Sequence, residues 1–185
     1  MSIEMNEIWD GKIPADEMDL AVLSDKIWEL GELDVIREKV SPELFQLHIA
    51  INTIGNWQCD GWDGIIAYQP HLVPYISEML VKFGLQDLQN AFDEVIAIFP
   101  DFITFEDDLL YCDMINFLHN MRLKVSDERL NTYTQEERQA MMKQYQEKLD
   151  QLEKITGPHW GYGSPKEGWA MIFDYIQLRI SGDCE

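Results

Sequence analysis

The feature that most constrains the fold is a repeat of apolar side chains every three to four residues along nearly the whole chain. Successive stripes of this kind are separated by glycine, proline and capping residues. Apolar residues at that spacing line one face of an α-helix, so each stripe predicts an amphipathic helix. Alternating strand patterns are scarce, and Gly64 to Tyr68 is the one short candidate for a strand. The sequence therefore predicts an all-α fold, a single compact domain of about seven helices over residues 1–185.

Capping and helix-breaking residues predict where these helices begin and end. Asp16 to Val40 is expected to form one long helix or two abutting ones, with a break at Gly31. Ser41-Pro42 supplies an N-cap and a first-turn proline for a helix that ends near Gly55. The remaining signals are stops at Gly84, Pro100 and Gly157-Pro158, capping boxes at Thr104/Asp107 and Thr134/Glu137, and a start at Ser164-Pro165 with Glu167.

The chain is strongly acidic, with 34 acidic against 14 basic residues and a formal net charge of −20. Such a charge repels nucleic acids and anionic membranes and favours basic partners and cations, so we expect neither direct nucleic acid binding nor membrane association. Residues 40–121 contain 12 acids and one base, Lys82, whereas residues 122–185 contain 11 acids and 9 bases. Solubility alone does not require this asymmetry, although acidity that only keeps the protein soluble is the simplest alternative.

Cysteine usage and hydropathy indicate the compartment. The three cysteines are widely spaced and form no CxxC pair, which predicts neither a disulfide framework nor a zinc site of usual spacing. No apolar run approaches the ~20 residues of a membrane span. Acids precede the first long apolar run, so no signal peptide is expected. We therefore expect a cytoplasmic protein in a reducing environment.

The sequence contains no HExxH, Walker, GxSxG or GxGxxG motif. The four histidines are far apart, and His48 lies on an apolar helical face where a core role is expected. Asp60 to Gly64 resembles the start of a calcium loop, but Trp62 and His71 stand where calcium ligands are needed. We expect no enzymatic activity, no cofactor and no metal. The weakest alternative is a divalent-metal-dependent hydrolase that uses Asp60, Asp63, Asp107 and Asp108.

One predicted helix, Leu85 to Ile98, has a one-sided distribution of charge. At 100° per residue its apolar side chains cluster on one side, and Asp87, Asp93 and Glu94 project from the other side with no base within four residues. Further acids follow without an intervening base. Together these acids predict a rigid surface that binds the basic, DNA-contacting face of a protein, formed by Asp87, Asp93, Glu94, Asp101, Glu106, Asp107, Asp108 and Asp113.

The stretch from Ile51 to Pro100, INTIGNWQCDGWDGIIAYQPHLVPYISEMLVKFGLQDLQNAFDEVIAIFP, has a further pattern. An asparagine-containing helix end leads into a Gly-aromatic corner, and an aromatic run, a helix ending in glycine and a helix ending in Phe-Pro follow. These parts are Asn52, Gly61-Trp62, Ile65 to Tyr68, Phe83-Gly84 and Ala97 to Pro100. The segment resembles the central part of a family of acidic, all-helical bacterial DNA-mimic proteins, first catalogued as a domain of unknown function. That family usually has a second glycine in the corner and an asparagine after the aromatic run, where this chain has Gln69-Pro70.

The resemblance implies binding without catalysis. An acidic surface would imitate DNA and sequester a DNA-binding protein such as a transcription regulator. The resemblance also implies a homodimer, and the nearly charge-balanced residues 122–185, with Trp160, Tyr162 and Trp169, are the region where self-association would meet least repulsion. The alternative function is an acidic immunity or adaptor protein that neutralises a basic toxin or enzyme.

The corner itself, NWQCDGWDGIIAYQ, is expected to have a structural role. Its glycines allow backbone angles that other residues resist. Trp57, Trp62 and Tyr68 are large side chains that can anchor a junction between helices. The composition therefore favours a packed corner over a ligand-binding loop.

Overall fold

The computed structural model describes residues 2–9 and 13–182, the last three by backbone only. Within these residues lie nine α-helices: α1 Met5–Ile8, α2 Glu17–Trp28, α3 Leu33–Lys39, α4 Pro42–Tyr68, α5 Val73–Lys82, α6 Gln86–Ile96, α7 Asp108–His119, α8 Gln135–Trp160 and α9 Ala170–Gly182. Two 3₁₀ turns, Leu130–Thr132 and Pro165–Gly168, precede α8 and α9. The β pairing in this part of the chain is one isolated bridge between Ile3 and Val40. The all-α prediction is confirmed.

The longest helix, α4, forms the centre of the fold. Its apolar residues from Leu44 to Ile54 are buried, and α2, α3, α5, α8 and α9 pack against it. Helix α6 packs against α5 and α8, and α7 packs against α8. The buried side chains form one hydrophobic cluster that extends from Met5 to Ile176. Each large apolar side chain buried there contributes roughly 1.5–3 kcal/mol, so the shared core ties the helices together.

Several helix ends lie where short-range signals predict them. The Ser41 hydroxyl accepts a hydrogen bond from the Leu44 backbone N–H at 3.4 Å, and Pro42 opens α4. Thr134 and Glu137 form the predicted capping box at the start of α8. Gly31, with φ +136°, separates α2 from α3, which resolves the predicted 16–40 helix into two.

Two predictions about α4 and α7 are wrong. Helix α4 does not end near Gly55 but continues to Tyr68, so the candidate strand from Gly64 is helical. Thr104 does not cap α7, because the carboxylate of Asp107 accepts the hydrogen bond from the Leu110 backbone N–H at 3.0 Å. The N-cap of α7 is therefore Asp107, and Thr104 lies before the helix.

The predicted ends of the last two helices also differ from the structure. Helix α8 continues past Gly157-Pro158 to Trp160, whose side chain is fully buried. Burial of that indole outweighs the hydrogen bond that a proline removes close to the helix end. The start predicted at Ser164-Pro165 produces only a 3₁₀ turn, in which Lys166 and Glu167 have positive φ.

Length alone would allow α4 and α8, with 27 and 26 residues, to cross a bilayer. Among the residues described, however, no helix combines such a length with the apolar composition that a membrane span requires.

Candidate functional site

Helix α6 displays the acidic face that the sequence predicts. Leu88, Phe92 and Val95 are buried, and α6 packs against α5 and α8. Their three-to-four spacing places them on one side of the helix. Asp87 and Glu94 are exposed on the surface, whereas Asp93 is half-buried.

No base lies within four residues of these carboxylates in the sequence, but the fold brings partners from another helix to Asp87 and Glu94. Lys148 Nζ donates a hydrogen bond to Glu94 Oε2 at 2.6 Å, and His159 Nε2 lies 3.7 Å from Asp87 Oδ2. Both bases come from α8, and Lys148 follows Glu94 by 54 residues, so no short-range pattern could reveal the pairing. Because the paired side chains remain partly exposed, each pair contributes at most about 1 kcal/mol to stability.

Asp93 is held within the protein. Its carboxylate accepts hydrogen bonds from the Ser77 hydroxyl of α5 at 3.3 Å and from the Gln89 amide one turn earlier on α6. Gln89 also donates to the Ser77 hydroxyl at 3.2 Å. Asp93 therefore helps to join α5 to α6 and presents less of its charge to a partner.

Asp107 and Asp113 also have structural roles. Asp107 caps α7, as described above. Asp113 accepts hydrogen bonds from the backbone N–H groups of Ser126 at 2.6 Å and Asp127 at 2.7 Å, which fixes the loop that follows α7. Hydrogen bonds to a carboxylate are strong, so these two side chains organise α7 and its neighbouring loop.

The other three predicted residues, Asp101, Glu106 and Asp108, form what we term the free acidic set. All three are exposed. In residues 2–9 and 13–182, none of them makes an ion pair or a side-chain hydrogen bond. Asp101 and Glu106 lie between α6 and α7, and Asp108 is the first residue of α7. Within the predicted surface, these are the carboxylates that remain available to an external cation.

The tryptophan-containing corner is a kink within α4. At Gly61 the backbone has φ 68° and ψ −173°, and helical geometry resumes after it. The Glu153 carboxylate of α8 accepts hydrogen bonds from the Trp62 backbone N–H at 2.5 Å and from Trp57 Nε1 at 2.8 Å. Trp62 is fully buried, but Tyr68 is 77% exposed and is not a packing anchor. The corner is thus a kink within α4 that is held against α8 by hydrogen bonds to Glu153.

A polar cluster that the sequence analysis does not predict joins α4, α7 and α8. His119 Nε2 lies 3.1 Å from Asp63 Oδ1, and the Tyr145 hydroxyl donates to the same oxygen at 3.0 Å. The hydrogen bond between His119 and Asp63 raises the pKa of His119 and lowers the pKa of Asp63. The three side chains line a groove of about 510 Å³. Residues 56 and 82 positions apart give no sequence signal for such a cluster.

Among the described residues, no serine, threonine or cysteine lines this groove, so it lacks the hydroxyl or thiol nucleophile that a neighbouring histidine activates in acyl-transfer sites. Nor does it extend to a metal site. Within the described residues, no group of three or more histidine, cysteine, aspartate or glutamate side chains is placed to hold a metal ion. Asp60, Asp63, Asp107 and Asp108 are therefore not brought together as metal ligands.

The aromatic side chains proposed for self-association are mostly in the core. Trp160 is fully buried and Trp169 is 5% exposed, whereas Tyr162 is 99% exposed. Of the three, only Tyr162 is accessible to a second copy of the chain.

Comparisons of the chain with known protein families, with curated protein sequences and with solved structures give no match in any of the three.

Proposed function

We propose that the protein is a non-enzymatic DNA mimic whose acidic surface binds the DNA-contacting face of a basic DNA-binding protein, such as a transcription regulator. The observation that carries this proposal is the free acidic set, Asp101, Glu106 and Asp108, which is exposed and makes no ion pair or side-chain hydrogen bond among the described residues. A carboxylate that is not engaged within its own protein can be matched by a lysine or arginine of a partner without first breaking an internal bond.

The surrounding charges support the same function. Asp87 and Glu94 on α6 are exposed, and Lys148 offsets part of the negative charge of Glu94. A helix holds its side chains at a fixed rise of about 1.5 Å per residue, so these charges keep constant spacing, as phosphates do along DNA. The formal net charge of −20 adds long-range attraction for a basic partner.

The experiment compares two variants of equal charge. In the first, Asp101, Glu106 and Asp108 are all replaced by lysine. In the matched control, Glu29, Glu38 and Asp174, which are exposed and have no ion pair among the described residues, are replaced by lysine. Both variants change the formal net charge from −20 to −14. Circular dichroism checks that both remain folded, since a lysine at the start of α7 costs up to about 1 kcal/mol.

The wild-type protein is used to capture a partner from a lysate of the native host, and the purified partner is then titrated with each form. We expect the first variant to bind roughly tenfold or more weakly, while the control loses much less, because the effect depends on position and not on total charge. Binding should weaken as salt is raised, and the wild-type protein should displace a fluorescent duplex from the partner.

Equal losses in the two variants would mean that the free acidic set is not the binding surface. A partner that holds the protein and duplex DNA at the same time would overturn the DNA-mimic function. That result would favour an immunity or adaptor protein that neutralises a basic toxin or enzyme.

A further inference from the structure

A groove of about 310 Å³ lies between α2 and α4, at a site separate from the acidic surface. Its lining includes two small residues, Ala21 on α2 and Gly55 on α4. Trp28 and Trp169 form aromatic walls, and a Cβ atom at Gly55 would lie 3.9 Å from the Trp169 ring. The volume is at the small end of the roughly 300–1,000 Å³ typical of ligand sites.

A hydrogen-bonded network holds one side of this groove in place. Asn52 accepts a hydrogen bond from Trp28 Nε1 at 3.1 Å and donates to the Ser24 hydroxyl at 2.9 Å. His48 Nδ1 lies 3.3 Å from both Ser24 Oγ and Asn52 Nδ2. Burial lowers the pKa of His48 to about 4, so its ring is neutral at neutral pH and adds no positive charge near the groove. The network fixes the positions of Trp28 and Asn52 before any ligand arrives.

Other polar groups of the groove have no partner. The Asn56 amide nitrogen donates to the Asn52 carbonyl at 2.8 Å, which leaves its side-chain oxygen without a donor among the described residues. The indole N–H of Trp169 is buried and likewise has no acceptor there. Asp25 places an exposed carboxylate among the lining residues. The Asn56 side-chain oxygen and the Asp25 carboxylate are therefore acceptors that a ligand with N–H groups can engage.

The charges of the lining restrict the class of ligand. Two acids, Glu17 and Asp25, line the groove and no base does. An anion would therefore be repelled, and a purely apolar ligand would leave the amide oxygen of Asn56 unpaired. A cation would gain from both acids, from the indole rings and from the field of the whole protein.

We propose that this groove binds a guanidinium group, as carried by arginine. A guanidinium is planar and can stack on an indole ring while it donates hydrogen bonds to Asn56 and Asp25 together, which an ammonium does less well. Free arginine-like metabolites and arginine side chains of a protein share this chemistry.

The test uses blocked amino acids and the full chain. N-acetyl-arginine methylamide, its citrulline isostere and its lysine counterpart are each titrated at 150 mM salt, and the indole N–H signals of Trp28 and Trp169 are followed by NMR. We expect the arginine compound to shift both signals with saturation. We expect the neutral citrulline compound and the lysine compound to bind at least about tenfold more weakly, since charged hydrogen bonds and the planar fork are lost.

Two variants locate the site. Ala21→Leu fills the groove and should abolish the response. Asp25→Asn should weaken binding about three- to tenfold, whereas Asp174→Asn, which removes an equally exposed carboxylate on α9, should not change it. Free arginine is the final probe. Binding of both forms indicates a metabolite source, and binding of the blocked form alone indicates a protein side chain.

Equal binding of the arginine and lysine compounds would show only general attraction to an acidic protein and would overturn the proposal. Equal binding of the citrulline compound, or an unchanged response in folded Ala21→Leu, would overturn it as well.

Discussion

Replacement of Gly61 by alanine should destabilise the protein more than replacement of Gly55 or Gly84 does. With φ 68° and ψ −173°, Gly61 has a backbone conformation that is almost restricted to glycine. A Cβ atom there would lie 2.6 Å from Glu153 Oε1, the oxygen that accepts the hydrogen bond from the Trp62 backbone N–H. The substitution therefore strains the kink and displaces the carboxylate that staples it to α8.

The structure gives the size of the effect. Backbone strain of this kind costs about 1–3 kcal/mol. Loss of a hydrogen bond to a charged group costs about 1.5–3 kcal/mol. Part of the second loss is recovered if Glu153 keeps its bond to Trp57, so we expect a total of roughly 2–5 kcal/mol. For a chain of this length, that corresponds to a fall in Tm of about 5–20 °C.

The assay is urea and thermal unfolding followed by circular dichroism. Gly84→Ala is the matched control, because Gly84 also has positive φ, at +73°, but among the described residues, its chain neighbours aside, no atom lies within 4 Å of the position that a Cβ atom would take there. It should cost only about 1–2 kcal/mol. Gly55→Ala, in regular helix with 3.9 Å to Trp169, should be neutral or slightly stabilising.

A double-mutant cycle with Glu153→Ala separates the cost of backbone strain at Gly61 from the cost of displacing the Glu153 carboxylate. In that background the cost of Gly61→Ala should fall towards the cost of Gly84→Ala, because the displaced carboxylate is gone. If Gly61→Ala costs no more than Gly84→Ala, or costs the same with and without Glu153, the account of the kink is wrong.

Three further predictions concern side chains that join helices. Burial lowers the pKa of His48 from 6.5 to about 4, so the unfolded chain takes up a proton before the folded protein does as pH falls. The free energy of unfolding in urea should therefore decrease by up to about 3 kcal/mol between pH 6.5 and 4. His48→Gln should remove this pH dependence. The pKa of His119 is raised and that of Asp63 is lowered, so their pair stabilises the fold between about pH 4 and 6.5. The stabilisation is lost as pH rises through the pKa of His119 or falls through that of Asp63. His119→Gln should therefore lower the free energy of unfolding in that window by less than about 1 kcal/mol. Arg138 donates four hydrogen bonds to carbonyl groups at and after the end of α7, so Arg138→Lys, which retains the charge but not the planar fork, should cost about 2–3 kcal/mol in the same unfolding assay.

The helices that could be predicted are those whose ends depend on neighbouring residues. The capping box of Thr134 and Glu137 needs only atoms three residues apart, and it is present as predicted. The kink in α4 needs Glu153, which is 91 residues from Trp62 along the chain. Glycines near position 60 indicate that the backbone can bend there. The sequence cannot indicate which glycine bends, because the carboxylate that holds the kink, Glu153, comes from α8.

At the end of α8, tertiary packing outweighs a local signal for a helix stop. Gly157-Pro158 is a strong local signal for a stop, yet the helix continues until Trp160 enters the core and its ring packs near Trp57 and Trp62. The proline removes one backbone hydrogen bond, whereas burial of the indole contributes a comparable or larger free energy. Local helix propensity therefore determines where a helix ends only when the free energy gained from tertiary contacts is small.

The same limit applies to the acidic surface, and it determines how that surface must be tested. In the sequence Asp87, Asp93 and Glu94 lack nearby bases, which makes them look like the best carboxylates to reverse. In the fold two of them contact His159 and Lys148 of α8, and Asp93 bonds to Ser77 of α5. Their reversal to lysine would break three helix–helix contacts and place like charges against α8, so a loss of binding would not distinguish a lost surface from a displaced α6. Reversal of the free acidic set breaks no ion pair or side-chain hydrogen bond within the described residues, so a loss of binding there can be assigned to the charges themselves.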